Sequence, residues 1–134
     1  MPKFDICVID FAMQAEKDGV SFYTKAADTF KEKDLRALFL KLAKDEARHL
    51  EEFISLKEKA LKKGVEECFL SVEVGDYLNA VAREGVFPKG EDIARKLEAV
   101  RTVEDACKIA LQAERNAILL YTELVKLSKD KDQK

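Results

Sequence analysis

From Asp5 to Phe30 apolar residues recur every three or four positions: Ile9, Ala12, Ala15, Gly19, Phe22, Tyr23, Ala26 and Phe30. That spacing predicts an amphipathic helix with one face turned to a core. The polar stretch Lys31-Glu32-Lys33 interrupts it, and Asp34 is the expected cap of a second helix. Its stripe runs through Leu35, Leu38, Phe39 and Leu42, then Leu50, Phe53 and Leu56, with Gly64 as the stop. A third long helix is predicted from Thr102, where Thr102-Val-Glu-Asp105 reads as a capping box with Asp in place of Glu. Its stripe is Val103, Ala106, Cys107, Ala110, Ala113, Ala117, Leu120, Tyr121 and Leu124, and residues 129–134 form a polar tail expected to fray.

Between the second and third long helices, residues 65–101 form a connector. Val74–Gly85 and Glu91–Ala99 read as short helices, and Phe87-Pro88-Lys89-Gly90 as a turn. Neighbouring helices of a bundle need far shorter connections, so one this long is expected to run from one end of a bundle to the other. The predicted fold class is all-α, a single helical-bundle domain over residues 1–134.

Composition narrows the partners. The 134 residues contain 24 basic and 26 acidic side chains, so nucleic acid and acidic membrane surfaces are not expected partners. No apolar run approaches the length of a membrane helix, and the Met1–Val8 start is too short and charged for a secretory signal. Cys7, Cys68 and Cys107 are scattered, with no C-x-x-C. They fit a reducing cytoplasm and are expected to be small apolar core residues.

The informative positions are acids where the periodicity demands apolar residues. Glu16 falls on the inward stripe of the first helix, Glu46 and His49 continue that of the second, and Glu114 sits among Ala110, Ala113, Ala117 and Tyr121 on the third. An unpaired carboxylate in a bundle core costs several kcal/mol or keeps its proton, so a shared counter-charge is expected. Glu46-x-x-His49 places a carboxylate and an imidazole on one helical face, a spacing suited to one metal ion. A lone inward histidine is also a common hydrogen-bonded core residue, and the chain has only one.

An internal repeat links these acids. Phe11–Lys25 and Ile109–Glu123, offset by 98 residues, are identical at six of fifteen positions: Ala12/Ala110, Gln14/Gln112, Ala15/Ala113, Glu16/Glu114, Tyr23/Tyr121 and Thr24/Thr122. The reading is a duplicated helix-pair unit with Glu and Tyr on the core face in both copies. The second copies of Glu46 and His49 would then fall at positions 144 and 147, past Lys134, so the fourth bundle helix is expected to be absent or supplied by another chain.

Three segments together resemble the rubrerythrin-related, ferritin-like di-iron proteins: A-x-x-x-E-x-x-G-x-x-F-Y (Ala12–Tyr23), L-A-x-D-E-x-x-H (Leu42–His49) and A-x-x-x-E-x-x-x-x-x-x-Y (Ala110–Tyr121). The resemblance implies a di-iron centre, with manganese as a second metal that the ligands suit. By position it makes Glu16 and His49 ligands of the first iron, Glu46 a bridge, and Glu114 the terminal ligand of the second. It also makes Tyr23 and Tyr121 the tyrosines flanking the centre. It implies an oxidoreductase that reduces peroxide or dioxygen, or oxidises Fe(II). With no cysteine-ligated rubredoxin module in the sequence, electrons would come from an external donor. An unfilled bundle face implies a homo-oligomer, such as a homodimer. The alternative is a shortened helical bundle with one metal or none, acting as an interaction or structural protein.

Overall fold

The computed structural model describes residues 4–64, 86–88 and 90–132. Four helices run in the order α1 (Phe4–Thr29), α2 (Lys33–Lys62), α3 (Glu91–Glu98) and α4 (Val103–Asp132), and no strand occurs among the described residues. The expected all-α fold is therefore present. Residues 65–85, with the short helix expected at Val74–Gly85 and with Cys68, lie outside the described residues.

The first two helices form an antiparallel hairpin because only Phe30–Glu32 separate them. Glu32, rather than Asp34, caps α2. Its carboxylate accepts from the backbone N–H of Asp34 at 3.1 Å and of Leu35 at 2.8 Å, which places Asp34 inside the first turn. The longer Glu side chain reaches forward over two open donors that Asp34, already helical, cannot serve. At the other end Gly64 adopts φ +89 and donates to the Leu61 carbonyl at 3.1 Å, ending the helix at the expected glycine. Lys57 on α2 meets Asp10 on α1 at 2.7 Å, a half-buried ion pair across the hairpin.

The core follows the predicted stripes closely on α1. Ile9, Ala12, Ala15, Phe22, Tyr23, Ala26 and Ala27 are buried there, against Leu35 and Phe39 of α2. Phe39 stacks on both Tyr23 and Phe30, with ring centroids 6.2 and 5.8 Å apart. On α2 Leu56, expected on the stripe, is about half exposed, while Ala60 one turn beyond it is buried. Val86 and Phe87, ahead of α3, are buried together with Ile93, Leu97 and Val100, so the end of the connector folds back onto the hairpin.

α4 lies chiefly against α1. It starts with the predicted box: Thr102 Oγ1 accepts from the Asp105 N–H at 3.2 Å, while the Asp105 carboxylate accepts from Thr102 and Arg101 at 3.2 and 2.9 Å. Its buried residues are Ala106, Ala113, Ala117 and Leu120. Val103 and Cys107, expected in the core, are exposed, as are Leu111, Ile118 and Leu119. The stripe of α4 is thus narrower than its apolar content suggests. Of the polar tail expected at residues 129–134, residues 133–134 lie outside the described residues. The helix continues to Asp132, and no Gly or Pro lies ahead of that point to stop it.

The repeat is visible in local contacts. Gln14 donates to Asp18 and Gln112 to Asn116, each at 3.0 Å, at equivalent positions one turn apart.

The cap makes a direct prediction. Thr102→Ala should lower unfolding free energy by about 1 kcal/mol, whereas Thr122→Ala, on the exposed middle of α4, should cost less in the same denaturant titration.

Candidate metal centre

The acid-on-stripe positions of the hairpin converge. Glu16 of α1 is 7% exposed and Glu46 of α2 is 4% exposed, the only buried charged side chains among the described residues. With His49, one turn beyond Glu46, they offer three donor atoms that all lie within 4.8 Å of one another. His49 Nδ1 stands 3.6 Å from Glu16 Oε2, and its ring is about a third exposed.

Each carboxylate is held from a different side. Tyr121 of α4 donates its hydroxyl to Glu16 Oε1 at 3.0 Å, tying α4 to α1 at the site. The other oxygen, Oε2, is fully buried with no hydrogen-bond partner. Glu46 Oε2 packs beside Gly19, where an added Cβ would stand 3.1 Å away from it. The same Cβ would come within 2.9 Å of two Phe87 ring carbons, so the ring of Phe87 fills the rest of the gap. Phe87 in turn meets Tyr23 edge-on, with centroids 5.4 Å apart. The sequence placed Phe87 in a turn and gave it no role at the site. The available signal was an apolar Val86-Phe87 pair immediately before Pro88.

Glu114 is not among the three donors that lie within 4.8 Å of one another. The residue is solvent-exposed on α4, yet its carboxylate comes within hydrogen-bonding reach of Glu46 and adds its charge there. Helical geometry explains the aim: seven residues separate it from Tyr121, about two turns, so both point the same way.

That electrostatics is lopsided. Glu46 is pushed well above the usual carboxylate range, first by burial, then by hydrogen-bonding proximity to Glu16 and its charge, then by Glu114. Without a cation, Glu46 therefore holds a proton near neutral pH. Tyr23 is raised as well, by burial and then by the charges of Glu46, Glu114 and Glu16. Burial raises Tyr121 too, followed by its contact with Glu16. Both phenols stay protonated and are available as donors. The Tyr23 hydroxyl is nevertheless buried without a partner.

Two buried polar atoms without partners, beside converging carboxylates and an imidazole, are what a cation site looks like when described from its protein side alone. The chain matches the Rubrerythrin family over residues 8–134. It belongs to the rubrerythrin family. No curated protein and no solved structure matches it. Rubrerythrins typically bind iron, and the Glu16–Glu46–His49 group is a hard oxygen and nitrogen donor set that suits such a metal. Among the described residues no helix is long and apolar enough to cross a membrane.

Two outcomes follow for the metal-free rubrerythrin chain. Glu46 binds its proton more tightly folded than unfolded, so the unfolded chain ionises first as pH rises past the ordinary value of 4.5. Stability therefore falls from pH 5 to pH 8. Glu46→Gln should flatten that slope and be more stable at pH 8 by about 1–3 kcal/mol; an unchanged slope in urea titrations would refute the protonated-carboxylate assignment. Gly19→Ala should be destabilising by about 1–3 kcal/mol despite the better helix propensity of Ala, because Phe87 is wedged against Tyr23. A rise in melting temperature would show that the ring yields freely.

Proposed function

We propose that this rubrerythrin-family chain is a non-haem di-iron oxidoreductase that reduces peroxide or dioxygen, or oxidises Fe(II), with electrons from an external donor. The observation carrying this reading is the convergence of Glu16, Glu46 and His49 within 4.8 Å, with Glu16 Oε2 buried and without a hydrogen bond. Glu16 and His49 would hold one ion, Glu46 would be shared, and Glu114 would serve the second. Manganese suits the same donors. When bound, the irons would supply reversible one-electron chemistry at open coordination positions.

The chain's own residues perform the supporting work. Glu46 gives up its proton as a cation arrives, so binding releases a proton and strengthens as pH rises. Tyr121 fixes the orientation of Glu16 through its hydroxyl, which leaves Oε2 free to ligate. Phe87 and Tyr23 keep water from the flank of Glu46 that faces Gly19.

A second reading has its own observation. Leu111, Ile118 and Leu119 are 52–65% exposed on α4. Such a strip suits an interaction module whose open face takes a partner helix, including one from a second copy of the chain. Metal content separates the two.

Aerobic Fe(II) reconstitution should leave about two irons per chain with the near-ultraviolet absorption of oxo-bridged ferric iron. His49→Ala should abolish it, and the exposed Glu51→Ala should not. No retained iron, or equal loss in both variants, would sink the di-iron reading; solution mass measured on the same samples gives the oligomeric state.

A further inference from the structure

Of the large hydrophobic side chains exposed among the described residues, Leu40 and Leu56 are on α2, while Val103, Leu111, Ile118 and Leu119 are all on α4. Leu111, Arg115, Ile118 and Thr122 are spaced four, three and four residues apart, so they form one stripe along the helix. All four are exposed, on the side away from the buried Ala106, Ala113, Ala117 and Leu120. Glu114 stands on the edge of that stripe, three residues after Leu111 and four before Ile118, and its carboxylate reaches Glu46. The open strip therefore borders the candidate metal centre.

The repeat indicates what fits there. Leu111 and Ile118 correspond to Met13 and Val20 of α1 at the same offset of 98 residues. Met13 and Val20 are partly buried, on the flank of α1 whose Asp10 meets Lys57 of α2. The equivalent flank of α4 is thus suited to a helix lying antiparallel to it, as α2 lies against α1. Charge then selects the helix. Laid parallel, two copies of α4 would set Glu104, Arg115 and Lys126 each against itself. Laid antiparallel about a twofold axis between Glu114 and Arg115, they set Leu111 against Ile118 of the second copy and Glu114 against its Arg115. Glu104 then falls within one residue of Lys126 of the second copy, and Cys107 is level with its Thr122.

We propose that α4 is a dimer interface: two copies of this chain pair antiparallel through the Leu111, Arg115, Ile118 and Thr122 stripe, and Arg115 of each faces Glu114 of the other. The proposal rests on the interaction surface named above and deepens it by naming the occupant, the register and the cation brought to the rim of the centre. It does not depend on a bound metal.

Sedimentation equilibrium of the metal-free full chain should show a dimer at micromolar concentration. Leu111→Ser and Ile118→Ser should each weaken association by about tenfold or more, with helix content unchanged by circular dichroism. Leu40→Ser on α2, where Leu40 is as exposed as Leu111 (51% and 52%), should leave association within about twofold. Arg115→Glu should weaken it as Ile118→Ser does, and adding Glu114→Arg should restore it. Crosslinking reads the register, in chains carrying Cys7→Ser and Cys68→Ser. Mild oxidation should join Thr122→Cys chains through Cys107 of one copy and the introduced thiol of the other. Without Thr122→Cys no crosslink should form, because the two Cys107 residues would stand about 22 Å apart along the axis. A monomer throughout, or a dimer that ignores Leu111→Ser and Ile118→Ser or responds equally to Leu40→Ser, would overturn the interface. A crosslink between the two Cys107 residues, none in Thr122→Cys chains, or no rescue by Glu114→Arg would overturn the antiparallel register. A monomer that retains iron would overturn this interface and leave the metal reading standing.

Discussion

Two carboxylates, Glu16 and Glu46, are buried against each other between α1 and α2, and much of the molecule is arranged around that fact. Like charges in such a setting cannot both ionise without a cation. The metal-free protein meets the constraint by keeping Glu46 protonated, at a cost that grows with pH. The surroundings then make the strained pair useful. Tyr121 satisfies only one oxygen of Glu16, and Gly19 removes the side chain that would displace Glu46. A site of this kind is less stable than an apolar core of the same volume, and that deficit is the affinity it offers to a cation.

Much of the fold was legible because long helices announce themselves by period. The stripe of α1 survives almost residue for residue, and the box at Thr102 and Asp105 forms as its spacing demands. Glu16, Glu46 and His49 were legible for the opposite reason: they violate the stripe, and a violation inside a core needs a cause. The same logic put Glu114 with them, and its carboxylate does reach Glu46, although the residue as a whole is exposed. α4 carries Leu111, Ile118 and Leu119 besides its alanines, so apolar residues surround the helix and the pattern does not say which side is inward. Phe87 was illegible in another way. A ring that enters the core from a turn leaves no periodic trace, and its importance depends on the gap at Gly19, nearly seventy residues earlier. Glu32 took the cap from Asp34 through side-chain reach, which a preference ranking does not capture.

The duplicated segments have drifted apart in instructive ways. Gly19 of the first copy corresponds to Ala117 of the second, and only the first must accommodate Phe87. Ser21 corresponds to Leu119, both exposed, so the second copy presents hydrocarbon where the first presents a hydroxyl. Near-identical motifs have thus become an inner half that builds the site and an outer half that borders it.

α4 lies chiefly against α1, and its buried residues are Ala106, Ala113, Ala117 and Leu120. Alanines let helices lie close but provide little relief to resist sliding, since ridges need bulk to lock into grooves. A slip of one turn would carry Tyr121 about 5.4 Å along the axis, far beyond hydrogen-bonding range of Glu16. The Tyr121–Glu16 bond therefore acts as a register pin. Whatever grips Glu16 more firmly will also fix the sliding coordinate of α4, and with it the pattern of side chains that the helix displays to the outside.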